Sequence, residues 1–141
     1  MDPLVGYIPG VFDLFHVGHL NALRQARARC DLLVAGVVSD EACEAVKGFR
    51  PTVPFAERIE IVDAIGLVDA TYGELSTDKL DSWREVGFHV IFKGDDWQGT
   101  AKGRALEQSM AGIGVRVHYF PYTLQTSSTA RRRALGEAQV S

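Results

Sequence analysis

Short apolar runs alternate with amphipathic segments along the whole chain. Five of the runs have the length and composition of β-strands, and they cover residues 4–8, 32–38, 68–72, 89–93 and 115–120. The second run, LLVAGVV, is apolar at every position. Such a run is typical of a central parallel strand that is covered on both faces.

The segments between these runs repeat apolar residues at the spacing of a helix. Residues 20–30 and 55–65 each place an apolar stripe on one face, and further helices are predicted at 79–86, at 101–111 and from Ser128 onward. Alternating strands and helices predict βαβ units with right-handed crossovers. The sequence therefore predicts an α/β fold, a Rossmann-like doubly wound parallel five-stranded sheet with helices on both faces.

Length and composition narrow the class of protein. The 141 residues predict one domain, 1–141, with residues 136–141 as a flexible tail. A hydrophobic fraction of 46% and a net charge of −3 give no overall field that would attract nucleic acid or an anionic membrane. Cys30 and Cys43 lack metal-site spacing, and neither a signal peptide nor a membrane-spanning run is visible. We therefore expect a cytoplasmic protein that binds neither nucleic acid nor membranes.

Polar residues follow the predicted strands in four groups. The groups are Gly10–Asp13 with His16–His19, the irregular stretch 46–54 with Lys47 and Arg50, Lys93–Trp97, and Thr126–Thr129. Ligands of parallel sheets bind beyond the carboxyl ends of the strands, and helix N-termini attract phosphate. The four groups are thus expected to converge on one site. No Walker A or G-x-G-x-x-G sequence follows a strand, so the expected phosphate site is of neither type.

Each group also has an ordinary structural interpretation. A single histidine at a helix start, an aspartate pair after a strand and a run of Ser and Thr are all common at helix caps. The run Arg131–Arg133 is compatible with a solvated helix face. The occurrence of all these groups at successive strand ends favours a shared binding site.

The same residues resemble, in order, the motifs of one enzyme superfamily. His16-Val17-Gly18-His19 matches the H-x-G-H signature of nucleotidyltransferases, and Gly10-Val11-Phe12-Asp13 resembles their G-T-F-D. Matches to bacterial glycerol-3-phosphate cytidylyltransferases follow at Lys47-Gly48, Glu57-Arg58, Val68-Asp69, Gly94–Trp97 and Ser127–Thr129. The resemblance extends over residues 4–135.

This resemblance implies transfer of a cytidylyl group from CTP to a phosphorylated alcohol, with release of pyrophosphate and with Mg²⁺ bound through the CTP phosphates; we name no residue as a metal ligand and expect most of the ligands to be phosphate oxygens and water. It implies catalytic roles for His16, His19 and Lys47, and it implies a homodimer with Val68-Asp69 near the contact. The implied nucleotide-binding residues are Gly10, Val11, Phe12, Asp13, Gly18, Lys93, Gly94, Asp96, Trp97, Thr126, Ser127, Ser128 and Thr129. The candidates for the acceptor site are Asp13, Arg50, Arg58, Tyr122 and Arg131.

Three cationic positions of the family pattern are missing. Gly66 and Tyr122 stand where relatives have arginines, and Ala45 stands near the first of two loop lysines. A charge-assisted contact with phosphate is worth about 1.5–3 kcal/mol. Either other cations compensate, with Arg50, Lys93, Arg131 and Arg132 as candidates, or the acceptor differs from glycerol 3-phosphate. We favour a changed acceptor, such as a bulkier phosphorylated alcohol or a phosphonate.

Two other functions stay open from the sequence. One is an adenylyltransferase of the same superfamily, against which the Gly94-Asp95-Asp96-Trp97 motif argues because it resembles the cytidylyl branch. The other is a nucleotide-binding module without catalysis. The retained histidine pair argues against that alternative, since binding alone does not require it.

Overall fold

The computed structural model describes residues 2–121, which form one parallel sheet flanked by helices. The strands are Val5–Gly10 (β1), Leu32–Val38 (β2), Ala70–Glu74 (β3), Val90–Gly94 (β4) and Arg116–Phe120 (β5). They pair in the order β3-β2-β1-β4-β5, and every pairing is parallel. The predicted doubly wound α/β fold is confirmed.

The helices are Val17–Arg27 (α1), Asp40–Lys47 (α2), Phe55–Asp63 (α3), Lys79–Val86 (α4) and Ala101–Ala111 (α5). The bounds predicted for the last two are confirmed, whereas α1 begins three residues earlier than predicted. Lys47 was expected in a loop but is the last residue of α2, which ends because Gly48 adopts a left-handed conformation with φ 81°. The irregular stretch is therefore 48–54.

Several predictions concern residues outside the described range 2–121. These are the helix from Ser128 onward, the tail 136–141, and the site candidates Tyr122, Thr126, Ser127, Ser128, Thr129 and Arg131.

The core has two halves, one on each face of the sheet. Leu23 of α1 and Val62 of α3 pack on one face, while Trp83 of α4 and Leu106 and Met110 of α5 pack on the other. Right-handed crossovers produce this division, because the chain winds in one direction from β1 to β3 and in the other from β4 to β5. The winding direction changes between β1 and β4, the place where such sheets bind ligands. No helix among residues 2–121 is long and apolar enough to cross a membrane.

Candidate functional site

A cavity of about 440 Å³ lies at the carboxyl ends of four strands. Gly10 of β1, Val38 of β2, Glu74 of β3 and Lys93 of β4 contribute to its lining, which α2 and α5 complete. Its volume is within the range of small-molecule binding sites. The sheet therefore presents a ligand-sized cavity at the edge where its polar residues were expected to converge.

All four lysines of the chain line this cavity. Lys47 ends α2, Lys79 begins α4, Lys93 lies near the end of β4, and Lys102 lies in the first turn of α5. None of the eight arginines within residues 2–121 contributes to the lining. The carboxylates in the lining are Glu74 and Asp78, so positive charge is in excess and the cavity suits an anionic ligand.

Lys93 contacts an aromatic ring of the cavity lining. Its Nζ lies 3.8 Å from the centroid of the Trp97 ring, a cation–π contact. Burial and the neighbouring Lys79 lower the pKa of Lys93 to about 8, although Glu74 and Asp96 oppose the shift. An anion bound in the cavity would stabilise the charged form of this ammonium group.

Glu74 anchors one wall of the cavity. Its side chain is buried, and its Oε1 accepts a hydrogen bond from Lys79 Nζ at 2.6 Å. Its Oε2 accepts from the Tyr7 hydroxyl and, at 3.1 Å, from Ser82 Oγ. Burial and the neighbouring Glu74 raise the pKa of the Tyr7 phenol far above its usual value, so Tyr7 stays a donor. The Glu74 carboxylate thus accepts from three donors, and it holds the ammonium group of Lys79 in place.

A turn in left-handed conformation connects β1 to the histidine pair. Phe12 and Leu14 have φ values of 54° and 51°, which side-chain-bearing residues seldom adopt and which often mark functional sites. Asp13 between them is buried, and its two carboxylate oxygens accept from the backbone N–H groups of Thr52 and Val53, each at 2.8 Å. Asp13 therefore ties the 48–54 stretch to this turn.

His16 and His19 form the start of α1 rather than lying inside a helix already begun. His16 Nδ1 accepts from Gly18 N–H at 3.0 Å, and His19 Nδ1 accepts from His16 N–H at 3.2 Å. The two rings stack with their centroids 4.1 Å apart. Because each Nδ1 accepts a hydrogen bond, each neutral ring carries its proton on Nε2.

His19 is uncharged in this arrangement. Burial and the neighbouring His16 lower the pKa of His19 to about 4, with Asp13 acting in the opposite direction. A neutral imidazole with a fixed tautomer is a hydrogen-bond donor through Nε2 that needs no deprotonation near pH 7. The pair can thus donate to anionic oxygens.

The histidine pair lies outside the lining of the cavity. Gly10, Val11, Lys47, Lys93 and Trp97 are predicted site residues that the structure brings into the cavity lining. His16 and His19 are not in that lining and instead follow the turn beyond Val11. The remaining predicted positions within residues 2–121 surround these two regions: Phe12 and Asp13 in the turn, Gly18 in α1, and Gly94 and Asp96 at the 3-10 turn after β4.

Arg58 was predicted to contact the acceptor, and the structure gives it a different role. The residue is 1% exposed and does not line the cavity. Its guanidinium donates to the carbonyls of Val11 and Val38 at 2.7 Å each and to Asp40 Oδ1 at 2.8 Å, and its Nε donates to Val53 O at 2.8 Å. From its buried position, Arg58 therefore fixes the chain at the carboxyl ends of β1 and β2.

Arg50 is also directed away from the cavity lining. It lies on the exposed surface, where its Nε pairs with Glu44 at 2.8 Å and a terminal nitrogen lies 3.6 Å from Glu41. Gly66, where the resemblance implies an arginine, precedes β3 and lies outside the cavity lining.

Comparison with known proteins places these features in a family. Residues 7–134 match the cytidylyltransferase-like family. Over 99 residues the chain is 54% identical to an ethanolamine-phosphate cytidylyltransferase of Arabidopsis thaliana, covering 67% of this chain and 23% of that protein. It is 32% identical to the bifunctional protein HldE of Acidiphilium cryptum, covering 92% of this chain and 27% of that protein. The chain thus spans about a quarter of the length of these two relatives.

Two further comparisons extend the range of similarity. An FAD synthase of Thermococcus onnurineus is 33% identical over 80% of this chain and 76% of its own length. The crystal structure of a lipopolysaccharide core biosynthesis protein from Thermoplasma volcanium superposes with a TM-score of 0.74 at 22% identity, covering 86% of this chain and all of that one. The structural match shows a shared fold.

Proposed function

The chain belongs to the cytidylyltransferase-like family, and on that premise we propose that it transfers the cytidylyl group of CTP to a small phosphorylated alcohol with release of pyrophosphate. The observation that carries the proposal is the stacked histidine pair, with its uncharged His19, next to a cavity that contains every lysine of the chain. This arrangement offers two separate sets of donors to anions at one sheet edge. Glycerol 3-phosphate, a bulkier phosphorylated alcohol and a phosphonate are the proposed acceptors.

The chemistry requires positioning and charge stabilisation but no protein nucleophile. An oxygen of the acceptor phosphate attacks the α-phosphorus of CTP, and the bond from that phosphorus to the pyrophosphate oxygen breaks. In the proposed mechanism the Nε2–H groups of His16 and His19 donate to the α-phosphate and to the leaving bridge oxygen, where negative charge increases. Lys47, at the end of α2, would neutralise phosphate charge. Asp96 and Trp97 would line the pocket of the nucleoside.

Magnesium is expected to accompany the nucleotide. Within residues 2–121 no group of three or more His, Cys, Asp or Glu side chains is arranged to hold a metal ion. We propose that Mg²⁺ is held by phosphate oxygens and water, the ligands that this hard cation prefers.

The proposal of a homodimer rests on the family resemblance, and here Asp69 at the suggested contact pairs with Arg27 of its own chain.

A second candidate is transfer of an adenylyl group. The similarity to an FAD synthase over 80% of this chain favours it. Because both candidates use the same displacement chemistry, only the nucleotide and the acceptor distinguish them.

The test is pyrophosphate release from CTP, ATP, UTP and GTP with Mg²⁺, against a panel of phosphorylated alcohols and phosphonates. We expect release with CTP that depends on one acceptor class. His16→Ala should lower kcat far more than it weakens CTP binding, because its donor acts on charge that develops in the transition state. The matched control is His118→Gln, a histidine of β5 that contacts Phe92 and Phe120. Release with ATP alone would replace the proposal by the second candidate.

A further inference from the structure

The cavity lysines come from different parts of the fold, and two of them come from helices on the same face of the sheet. Lys79 and Lys102 belong to α4 and α5, which pack on the face opposite α1 and its histidine pair. Lys47 belongs to α2, in the crossover between β2 and β3. The backbones of Lys79 and Lys102 therefore lie on the other face of the sheet from α1.

Both lysines are held in place by contacts that reach into the core. Lys79 is fixed through the buried Glu74, which Tyr7 and Ser82 hold in turn. Lys102 lies 5.9 Å from the Trp97 ring centroid, and the next residue, Gly103, lies so close to Trp97 that a Cβ there would be 2.0 Å from its carbonyl oxygen. This close approach packs the first turn of α5 against Trp97 at the edge of the cavity, so the backbone position of Lys102 is fixed.

In-line displacement requires the attacking and the leaving oxygens to lie on opposite sides of the α-phosphorus. If the histidine pair serves the α-phosphate and the leaving oxygen, the attacking phosphate needs its own cations elsewhere at this edge. We propose that Lys79 and Lys102 bind the acceptor phosphate and that Glu74 is a positioning residue for Lys79. The assignment rests on the proposed function, and it gives a role to two cavity lysines that no motif of the sequence includes.

Lysine labelling tests the assignment residue by residue, because every lysine of the chain lies in this cavity. Reductive methylation of the intact protein, followed by mass spectrometry, gives a separate rate for each lysine. The probes are inorganic phosphate, sn-glycerol 3-phosphate and Mg²⁺–CTP, each added alone at millimolar concentration. Inorganic phosphate should slow the labelling of Lys79 and Lys102, whereas Mg²⁺–CTP should mainly slow that of Lys47. Equal protection of all four by CTP, or no protection of Lys79 and Lys102 by either phosphate, would overturn the assignment.

Kinetics supply an independent readout. Lys79→Gln and Lys102→Gln should each raise the KM for the acceptor roughly ten- to a hundredfold and change the KM for CTP little. Lys79→Arg should restore part of the loss. Glu74→Gln should also raise the acceptor KM and should speed the labelling of Lys79, which a merely structural role would not do selectively. The controls are Arg84→Gln and Arg104→Gln, which remove a cation from the same two helices outside the cavity lining.

The two proposals can fail separately. If no nucleotide supports pyrophosphate release but phosphate still protects Lys79 and Lys102, the proposed reaction is wrong and the phosphate site stands. If CTP-dependent release occurs and both substitutions raise the two KM values equally, the reaction stands and the division of the lysines is wrong.

Discussion

Replacing Arg58 by methionine should destabilise the protein far more than it changes acceptor recognition. The guanidinium satisfies the carbonyls of Val11, Val38 and Val53 and pairs with Asp40, and it is 1% exposed. Methionine keeps much of the volume but leaves these acceptors without their donor. Breaking a buried ion pair from one side costs about 3–5 kcal/mol. Because whole domains are stable by only about 5–15 kcal/mol, the expected loss is a large part of the total.

The assay is urea unfolding and thermal unfolding, both followed by circular dichroism, together with the KM for the acceptor. A loss of about 3–5 kcal/mol corresponds to a fall in Tm of roughly 10–20 °C for a domain of this size. Arg84→Met on the exposed side of α4 is the matched control and should change stability by less than about 0.5 kcal/mol. A variant of Arg58 with unchanged Tm and a greatly raised acceptor KM would refute this reasoning and restore Arg58 to the acceptor site.

Three further predictions concern the lowered pKa of His19, the close packing at Gly36 and the lowered pKa of Lys93. The pKa of His19 falls from 6.5 to about 4 on folding, so its contribution to stability is intact above pH 6.5 and is lost as the pH falls towards 4. The loss is about 3 kcal/mol. In urea unfolding, the free energy of unfolding of His19→Asn should therefore fall less steeply below pH 6.5 than that of the unmodified protein. Gly36→Ala would place a Cβ 1.9 Å from the Tyr7 hydroxyl and should lower the free energy of unfolding by about 1–3 kcal/mol, whereas Gly66→Ala, with nothing within 4 Å, should be nearly neutral in the same assay. The affinity for inorganic phosphate, measured by calorimetry, should fall as the pH rises above about 8, where Lys93 loses its proton, and a pH profile equally steep in Lys93→Met would contradict that role for Lys93.

The regular elements were predictable because their periodicity reflects burial. In LLVAGVV, β2 is paired on both sides, and it contributes Leu33, Ala35 and Val37 to one half of the core and Val34 to the other. The start of α1 was placed too late because His16 caps the helix, and histidine is not among the residues by which N-caps are usually identified. The capping geometry depends on ring orientation, which a residue pattern does not specify.

The role of Arg58 had a signal in the sequence that the motif match obscured. It follows Phe55 by three residues and precedes Val62 by four, so it lies on the apolar face of α3. A charged residue on such a face needs buried partners, and three of the four, Val11, Val38 and Asp40, are distant in sequence. Position on the helix therefore predicted burial better than the motif predicted contact with a ligand.

Lys79 and Lys102 were missed because neither belongs to a motif, and each resembles a surface lysine in the first turn of a helix. Their convergence depends on how α4 and α5 pack on the sheet, which local pattern cannot reveal. A signal was nevertheless available. The chain has four lysines, and each lies in the last residues of a strand or in the segment that follows a strand, in a fold whose strand ends meet at one edge.

The central claim is that this chain joins a cytidylyl group to the phosphate of an acceptor alcohol. The most direct measurement is ³¹P nuclear magnetic resonance of the intact protein with Mg²⁺, CTP and each phosphorylated alcohol in turn. We expect a diphosphate diester to appear together with an equal amount of pyrophosphate, and neither to form when CTP is replaced by ATP. A diester formed from ATP alone, or pyrophosphate released from CTP without any diester, would contradict it.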